Sequence, residues 1–428
     1  MSRMIFVLLI GFWATFQTTT MCGAARGADA IQVDSTDWPW WRGLTRDGVA
    51  NPDQNPPKTW SESKNVIWKV AIPGRGHASP TVVGDFVYLP TADERRQVQS
   101  VFCFERATGK QVWKTDVHVG KLVQKSNKKA SQASSSIACD GHRLYVNFVN
   151  QGAVFTTALD LQGQPKWQTR ISAYVTHQGY GASPALYKEL VIVSADNKGG
   201  GVIAALNRDT GSIVWKHARP NKPNYPSPII LHVAGRDQVL LTGCDLVSSY
   251  DPVSGEKLWE IAGATTECVS STVTDGQRIF TSGGYPKNHL AAVEADGSGK
   301  IAWERPVRVY VPSLLMHQGH LYGVTDASVA MCWNPTNGKT LWKNRLGGTF
   351  TSSPVSVGKL IYATNESGKT FVYKAQPTGF ELVAENKLGD EVYATPAICG
   401  GQIFTRVAYL NEGRRDEVLY CLGTKPDN

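Results

Sequence analysis

Apolar and polar residues alternate along this chain in short stretches, as in Gly84-Asp-Phe-Val-Tyr88, Gly141-His-Arg-Leu-Tyr145, Gly319-His-Leu-Tyr322 and Gly358-Lys-Leu-Ile-Tyr362. A period of two sends successive side chains to opposite faces and predicts short strands bounded by turns. Before each stretch stands a small polar segment. These are His77-Ala-Ser-Pro80, Ser134-Ser-Ser136, Ala182-Ser-Pro184, Pro226-Ser-Pro228, Ser270-Ser-Thr272, Pro312-Ser313, Ser352-Ser-Pro354 and Ala394-Thr-Pro396. After it come a third strand, such as Val202-Ile-Ala-Ala-Leu206, a glycine turn and a strand carrying tryptophan. Four short strands repeated about every 45 residues describe a propeller blade, and the openings number eight.

The tryptophans mark the period. Trp68, Trp113, Trp167, Trp215, Trp259, Trp303 and Trp342 recur at intervals of 39 to 54 residues, and from Trp113 onward each follows a glycine by four positions. A degenerate copy begins at Gly379, with Val383 in the tryptophan position. The eighth unit stops after Val418-Leu-Tyr-Cys-Leu422 without a tryptophan strand, whereas Asn65-Val-Ile-Trp-Lys-Val70 carries a tryptophan without a preceding blade. Residues 65–72 are therefore expected to supply the outer strand of blade 8, pairing edges that would otherwise stay open. The expected fold is all-β, an eight-bladed propeller over residues 65–424, with residues 31–64 as an N-terminal extension and 425–428 as a tail.

Phrases such as Ala107-Thr-Gly-Lys-Gln-Val-Trp113 and Asp209-Thr-Gly-Ser-Ile-Val-Trp215 resemble the eight-bladed propellers with pyrroloquinoline-quinone-type repeats and tryptophan-docking motifs. Trp38-Pro-Trp-Trp-Arg-Gly43 with Arg46-Asp-Gly48 is similar to the lead-in of exported propellers of this type. The resemblance implies a structural role for the seven tryptophans, packed at seams between blades. It also implies two kinds of activity, because the family includes quinone-dependent dehydrogenases and non-catalytic scaffolds of outer-membrane assembly. The dehydrogenases hold the quinone on calcium through Glu, Asn and Asp, add an Asp base, and usually cover it with a disulfide between adjacent cysteines.

Composition favours the scaffold. The chain has 428 residues and eight cysteines, none adjacent to another and none in a CxxC pattern. Cys103, Cys139, Cys244, Cys268, Cys332, Cys399 and Cys421 are too dispersed for a redox motif, a zinc ribbon or covalent haem. Removal of the export segment with Cys22 leaves these seven, an odd number, so at least one thiol is free within a monomer; Cys103, Cys332 and Cys421 stand where other units carry alanine and read as small core residues. No apolar run reaches the roughly 18 residues a membrane-spanning helix requires. Arg3, the apolar stretch Ile5 to Phe16 and Ala28-Asp29-Ala30 read as an export signal cleaved after Ala30. A lipid anchor at Cys22 is the rival reading, but Thr19-Thr20-Met21 lacks the residues usual before a lipidated cysteine. Cleavage removes Arg3, Arg26 and Asp29 and takes the formal charge from +8 to +7. The charges are dispersed apart from Lys121, Lys125, Lys128 and Lys129, which argues against a nucleic-acid partner.

Candidate chemistry collects on one face. Loops entering the first strand and loops joining the second to the third share a side of a propeller, and the insertions Asp93–Val98, Asp116–Ala130, Asp196–Gly201 and Gly283–Asn288 fall there. Beside them stand Arg75, His77, His177, Tyr180, Tyr225, Tyr310, Phe350 and Tyr393, aromatic and cationic groups suited to a peptide, a sugar or a partner loop. Asp93, Glu94, Asp196, Asn197, Asp245, Asp326, Asn365 and Glu366 offer oxygen ligands at strand ends, spread over five blades; turn formation accounts for most of them. No catalytic residue and no metal site is assigned. Gly338-Lys-Thr340 and Gly368-Lys-Thr370 lack the upstream glycine of a P-loop, and His317-Gln-Gly-His320 straddles a hairpin turn. The expected function is that of an exported, non-catalytic scaffold in the cell envelope, binding a protein or polymer through this face as a possible subunit of a larger complex. The alternative is a quinone- and calcium-dependent oxidoreductase.

Overall fold

The computed structural model describes residues 30–123 and 127–424. The export segment with Cys22, Lys125 and the tail lie outside them. Among the described residues every element is a strand, and the strands form eight sheets. In blade 1 the order from the channel outward is Thr81–Val83, Phe86–Asp93, Val98–Glu105 and Gln111–Val119, and blades 2 to 7 repeat it in sequence. Blade 8 runs Ala397–Cys399, Gln402–Asn411, Arg414–Leu422 and then Val66–Ile72, which pairs antiparallel with Arg414–Leu422. No helix among the described residues is long and apolar enough to cross a membrane.

The strand register explains the tryptophan period and the small residues facing it. Trp113, Trp167, Trp215, Trp259, Trp303, Trp342 and Trp68 pair with Cys103, Ala158, Ala205, Ser249, Ala292, Cys332 and Cys421. A bulge skips one residue just before each tryptophan. Most indoles then reach across the seam: Nε1 of Trp68, Trp113, Trp167, Trp215, Trp303 and Trp342 donates to a carbonyl in the next blade's turn, at 2.7–3.2 Å. Trp259 instead donates to Gln238, whose own amide passes the contact to the Ala295 carbonyl. The glycine four residues before the next tryptophan makes room for the ring. At Gly338, with φ of +67°, a Cβ would lie 2.5 Å from Trp303.

Blade 7 departs from the expected alignment. Val372 pairs with Ala384, so Ala384 holds the tryptophan position and Val383 is the skipped residue. Phe380 occupies the place of the usual glycine, and Trp342 meets its ring edge-on at 5.8 Å. All seven described cysteines are buried and free. The 116–130 insertion is also shorter than the sequence suggests, because Asp116 to Val119 belong to the outer strand of blade 1. His317 and His320 end and begin adjacent strands of blade 6, where His317 Nε2 bonds the Gly358 carbonyl and His320 Nδ1 the Gln318 carbonyl.

The polar openings form a belt around the channel. The backbone N–H of Ser79 donates to the Ser136 hydroxyl, Ser136 to Ser183, and Ser183 to Ser227, at 2.8–2.9 Å. Ser271 N–H donates likewise to Ser313, Ser313 to Ser353, and Ser353 to Thr395, at 2.9–3.0 Å, while the Ser79 hydroxyl returns to the Thr395 carbonyl. Six of the eight belt hydroxyls thus stand where a neighbouring blade's buried amide needs an acceptor. Ser183→Ala strands the Ser136 amide and is expected to cost about 1–3 kcal/mol, read as a lower urea midpoint with an unchanged slope.

The N-terminal extension runs through the ring. Trp38 bridges to Val82, and Pro39 accepts from Cys139. Arg46 donates to the Leu186 carbonyl, and Val49–Ala50 adds to blade 7 as a parallel strand along Ser356 and Val357. Gln54 bonds Ile398 and Gly401 in blade 8. Arg42, fully buried, donates to the carbonyls of Asp47, Leu314 and Pro354. Gly48, at φ of +83°, lies over its guanidinium so closely that a Cβ would sit 2.6 Å away. The segment thereby plugs the channel and lifts Trp41 to the belt, where its indole donates to the Ser271 hydroxyl at 2.8 Å.

Candidate functional site

Above this plug lies a cavity of about 770 Å³. Trp41 lines it, together with belt residues Ser183, Ser227, Ser353 and Thr395. The walls come from the segments leading into the inner strands and from loops joining second to third strands. This arrangement brings together His77, His177, Tyr180, Tyr225, Tyr310, Asp326, Phe350, Glu366 and Tyr393 of the residues singled out from sequence.

One wall is a linked cluster. The Tyr225 hydroxyl lies 3.0 Å from His177 Nδ1, and the Tyr310 hydroxyl donates to Glu267 at 3.2 Å. Glu267 also lies 3.6 Å from His177 Nδ1 and is almost wholly buried. Burial, reinforced by the Glu267 charge, raises the phenols of Tyr225 and Tyr310 above their ordinary range, so both stay protonated as donors. Asp326 accepts the backbone amides of Tyr310 and Val311; burial outweighs those bonds and raises its carboxyl above its ordinary value. Arg308 lies 4.9 Å over the Tyr310 ring and donates to the Gly284 carbonyl.

The opposite wall is held by a strap from the blade 1 to blade 2 connection. Lys129 pairs with Glu366 at 2.7 Å, and Thr351 donates to the other oxygen of that carboxylate. The hydrogen bond to Glu366 keeps the Lys129 ammonium above its ordinary range. Asn127 donates to Gln178 across the mouth. Arg75 stands outside the cavity lining, clamping the strap through the Lys128 and Lys129 carbonyls, with its guanidinium 5.8 Å over Tyr393. His77 packs 4.5 Å from the same ring. Phe350 is 1% exposed and backs the wall against Phe371.

Six of the eight expected oxygen ligands do not line the cavity; Asp93 accepts the amides of Arg95 and Arg96 in its own turn, with Glu94 beside it. Asp196 is buried against Arg219 at 2.8 Å and Asn224 at 2.9 Å. Asn197 ties its own loop, accepting from Val175 and Gly199 and donating to Ala195 and Gly200. Asn365 does the same for Ser367 and Lys369. Asp245 pairs with Lys222 and takes the Thr266 hydroxyl at 2.8 Å. The two asparagines serve the turns beside them, and Asp196 and Asp245 neutralise cations. Conversely, Trp41, Glu267 and Arg308 line the cavity without having been singled out. Trp41 stood in the unusual Trp38-Pro-Trp-Trp-Arg-Gly43 run; nothing local marked the other two.

The carboxylates of the cavity are dispersed around its walls. Among the described residues no three His, Cys, Asp or Glu side chains gather as a metal site. Glu267, Asp326 and Glu366 are each engaged by the wall itself.

A family model described as outer membrane protein assembly factor BamB matches residues 59–174 and 97–344. The chain is 26% identical over 356 residues to outer membrane protein assembly factor BamB of Burkholderia pseudomallei (strain K96243), covering 79% of this chain and 84% of that one. It is 23% identical to a tetrathionate hydrolase of Acidithiobacillus ferrooxidans, over 70% of this chain and 51% of the relative. Among solved structures, BamB from Moraxella catarrhalis superposes with a TM-score of 0.59 at 14% identity, covering 85% of this chain and 98% of that one. A europium-containing methanol dehydrogenase superposes with a TM-score of 0.67 at 11% identity, covering 91% and 98%. At these identities the superpositions speak to the propeller fold.

Proposed function

The chain belongs to the family described as outer membrane protein assembly factor BamB, and on that premise we propose that it is an exported, non-catalytic propeller that holds an envelope partner at the mouth of the plugged cavity. The observation that carries this reading is the wall of Tyr225, Tyr310, Tyr393, His77 and His177 above Trp41, braced by internal hydrogen bonds and ion pairs. Tyrosine gives contact area with a hydrogen-bonding tip at low entropic cost, and a wall already fixed by its own bonds loses little freedom on binding. The BamB relatives support a place in outer-membrane protein assembly. The quinone-dependent alternative draws on fold likeness, and the engaged carboxylates weigh against it.

The test uses the mature protein as bait in envelope extracts. Tyr225, Tyr310 and Tyr393 changed together to Ala are expected to cut partner capture at least tenfold, with the melting temperature within a few degrees of the parent. Undiminished capture by a folded triple variant refutes the cavity mouth as the binding surface. Saturable stabilisation by pyrroloquinoline quinone with calcium, accompanied by dye-linked alcohol oxidation, refutes the non-catalytic reading.

A further inference from the structure

Resting on the reading that the cavity is the binding site, we propose that its occupant is the end of an uncharged carbohydrate chain. The first argument is charge. Each carboxylate in the wall is engaged from within it: Glu267 by Tyr310, Asp326 by two backbone amides, and Glu366 by Lys129 and Thr351. The cations are engaged too, Lys129 by Glu366 and Arg308 by the Gly284 carbonyl with Asp326 at 3.9 Å. A charged ligand would bring a further charge into a partly desolvated space whose own charged groups already have partners, whereas a neutral one does not.

The second argument is the kind of surface left over. Trp41 and Tyr225 line the cavity with aromatic surface, and phenol, serine and threonine hydroxyls beside them both donate and accept. A pyranose has the matching anatomy, with C–H faces that stack on aromatic rings and a rim of hydroxyls. Engaged carboxylates keep spare lone pairs that accept from such hydroxyls.

The third argument separates sugar from peptide. Peptides held by a propeller channel recruit backbone groups, most simply by adding a strand to an open inner edge. Here belt amides including those of Ser79, Ser136 and Ser183 are spent on neighbouring hydroxyls. Below them, the chain's own N-terminal segment already bonds along blades 1, 2 and 7. The volume of about 770 Å³ falls in the range of small-ligand sites, and the floor at Trp41 stops a polymer from threading through. A chain end fits; a passing strand does not.

The mature protein is titrated calorimetrically with cellohexaose, xylohexaose, maltohexaose and chitohexaose, each followed in parallel by tryptophan fluorescence. At least one is expected to bind saturably with a change in Trp41 emission, insensitive to salt. Tyr310→Ala and, separately, Glu267→Gln are expected to raise Kd at least tenfold in folded protein. If none of the four binds, the proposal fails. An unstructured outer-membrane-protein peptide that binds instead, and does so dependent on Tyr310, overturns the carbohydrate assignment while leaving the cavity as the binding site. If neither class binds and the triple tyrosine variant still captures its envelope partner, the cavity reading falls as well.

Discussion

A protein lacking residues 31–72 is expected to show no cooperative thermal transition. The deletion removes the outer strand of blade 8, Val66–Ile72, together with the plug that bonds inner strands around the ring. It also empties the core of Trp38, Trp60, Trp68 and Ile72, each no more than 7% exposed. Arg42 isolates the plug's share of this loss. Burial lowers its pKa to about 10, so it remains charged at neutral pH while donating to three backbone carbonyls. Arg42→Ala leaves those carbonyls dry and unpaired and is expected to cost about 3 kcal/mol or more, measured by urea unfolding. A deletion variant with the parent's melting temperature would show that the ring holds without its N-terminal segment.

Trp303→Ala is expected to destabilise by about 3–5 kcal/mol, the range for losing a large aromatic from a core. Trp303 is 6% exposed, packs 6.0 Å from Phe280, and donates to the Pro335 carbonyl in blade 6, so its loss opens a cavity and strands a buried acceptor. The complementary change, Gly338→Ala, pushes a methyl into the same ring from a left-handed backbone position. It is expected to cost about 1–3 kcal/mol. Guanidinium melts of both variants and the double variant provide the check: the costs should be less than additive, because removing the ring makes room for the methyl.

The repeat made the fold legible. Alternation gave the strands, the glycine-to-tryptophan spacing gave the outer strand, and the Ser or Thr of each opening marked a belt position. Where the repeat degenerates, local reading slips by a residue: only the register of Val372 with Ala384 reveals which side chain faces the seam. The site was partly legible. Tyr180, Tyr225, Tyr310 and Tyr393 stand two or three residues before the belt positions of blades 3, 4, 6 and 8, so the repeat locates them. Asp196, Asn197, Asp245 and Asn365 looked alike in sequence to Glu366, yet they tie turns and ion pairs while Glu366 meets Lys129 from a strap 237 positions away. Arg308 stands two positions before Tyr310 in the segment entering blade 6, whereas Glu267 reaches Tyr310 from the segment entering blade 5, and neither position carries a period. Convergence of that kind depends on how the ring closes in space.

The pairing of Val66–Ile72 with Arg414–Leu422, and of Gln54 with Gly401 347 positions away, bears on how the molecule comes apart. A linear array of repeats frays from its terminal units, each lost at the cost of one interface. Joining first to last removes those free units, so unfolding has to rupture a seam between two intact neighbours before anything can peel away. The expected result is slow, all-or-none unfolding, with persistence set by a barrier more than by the modest free energy of any single blade.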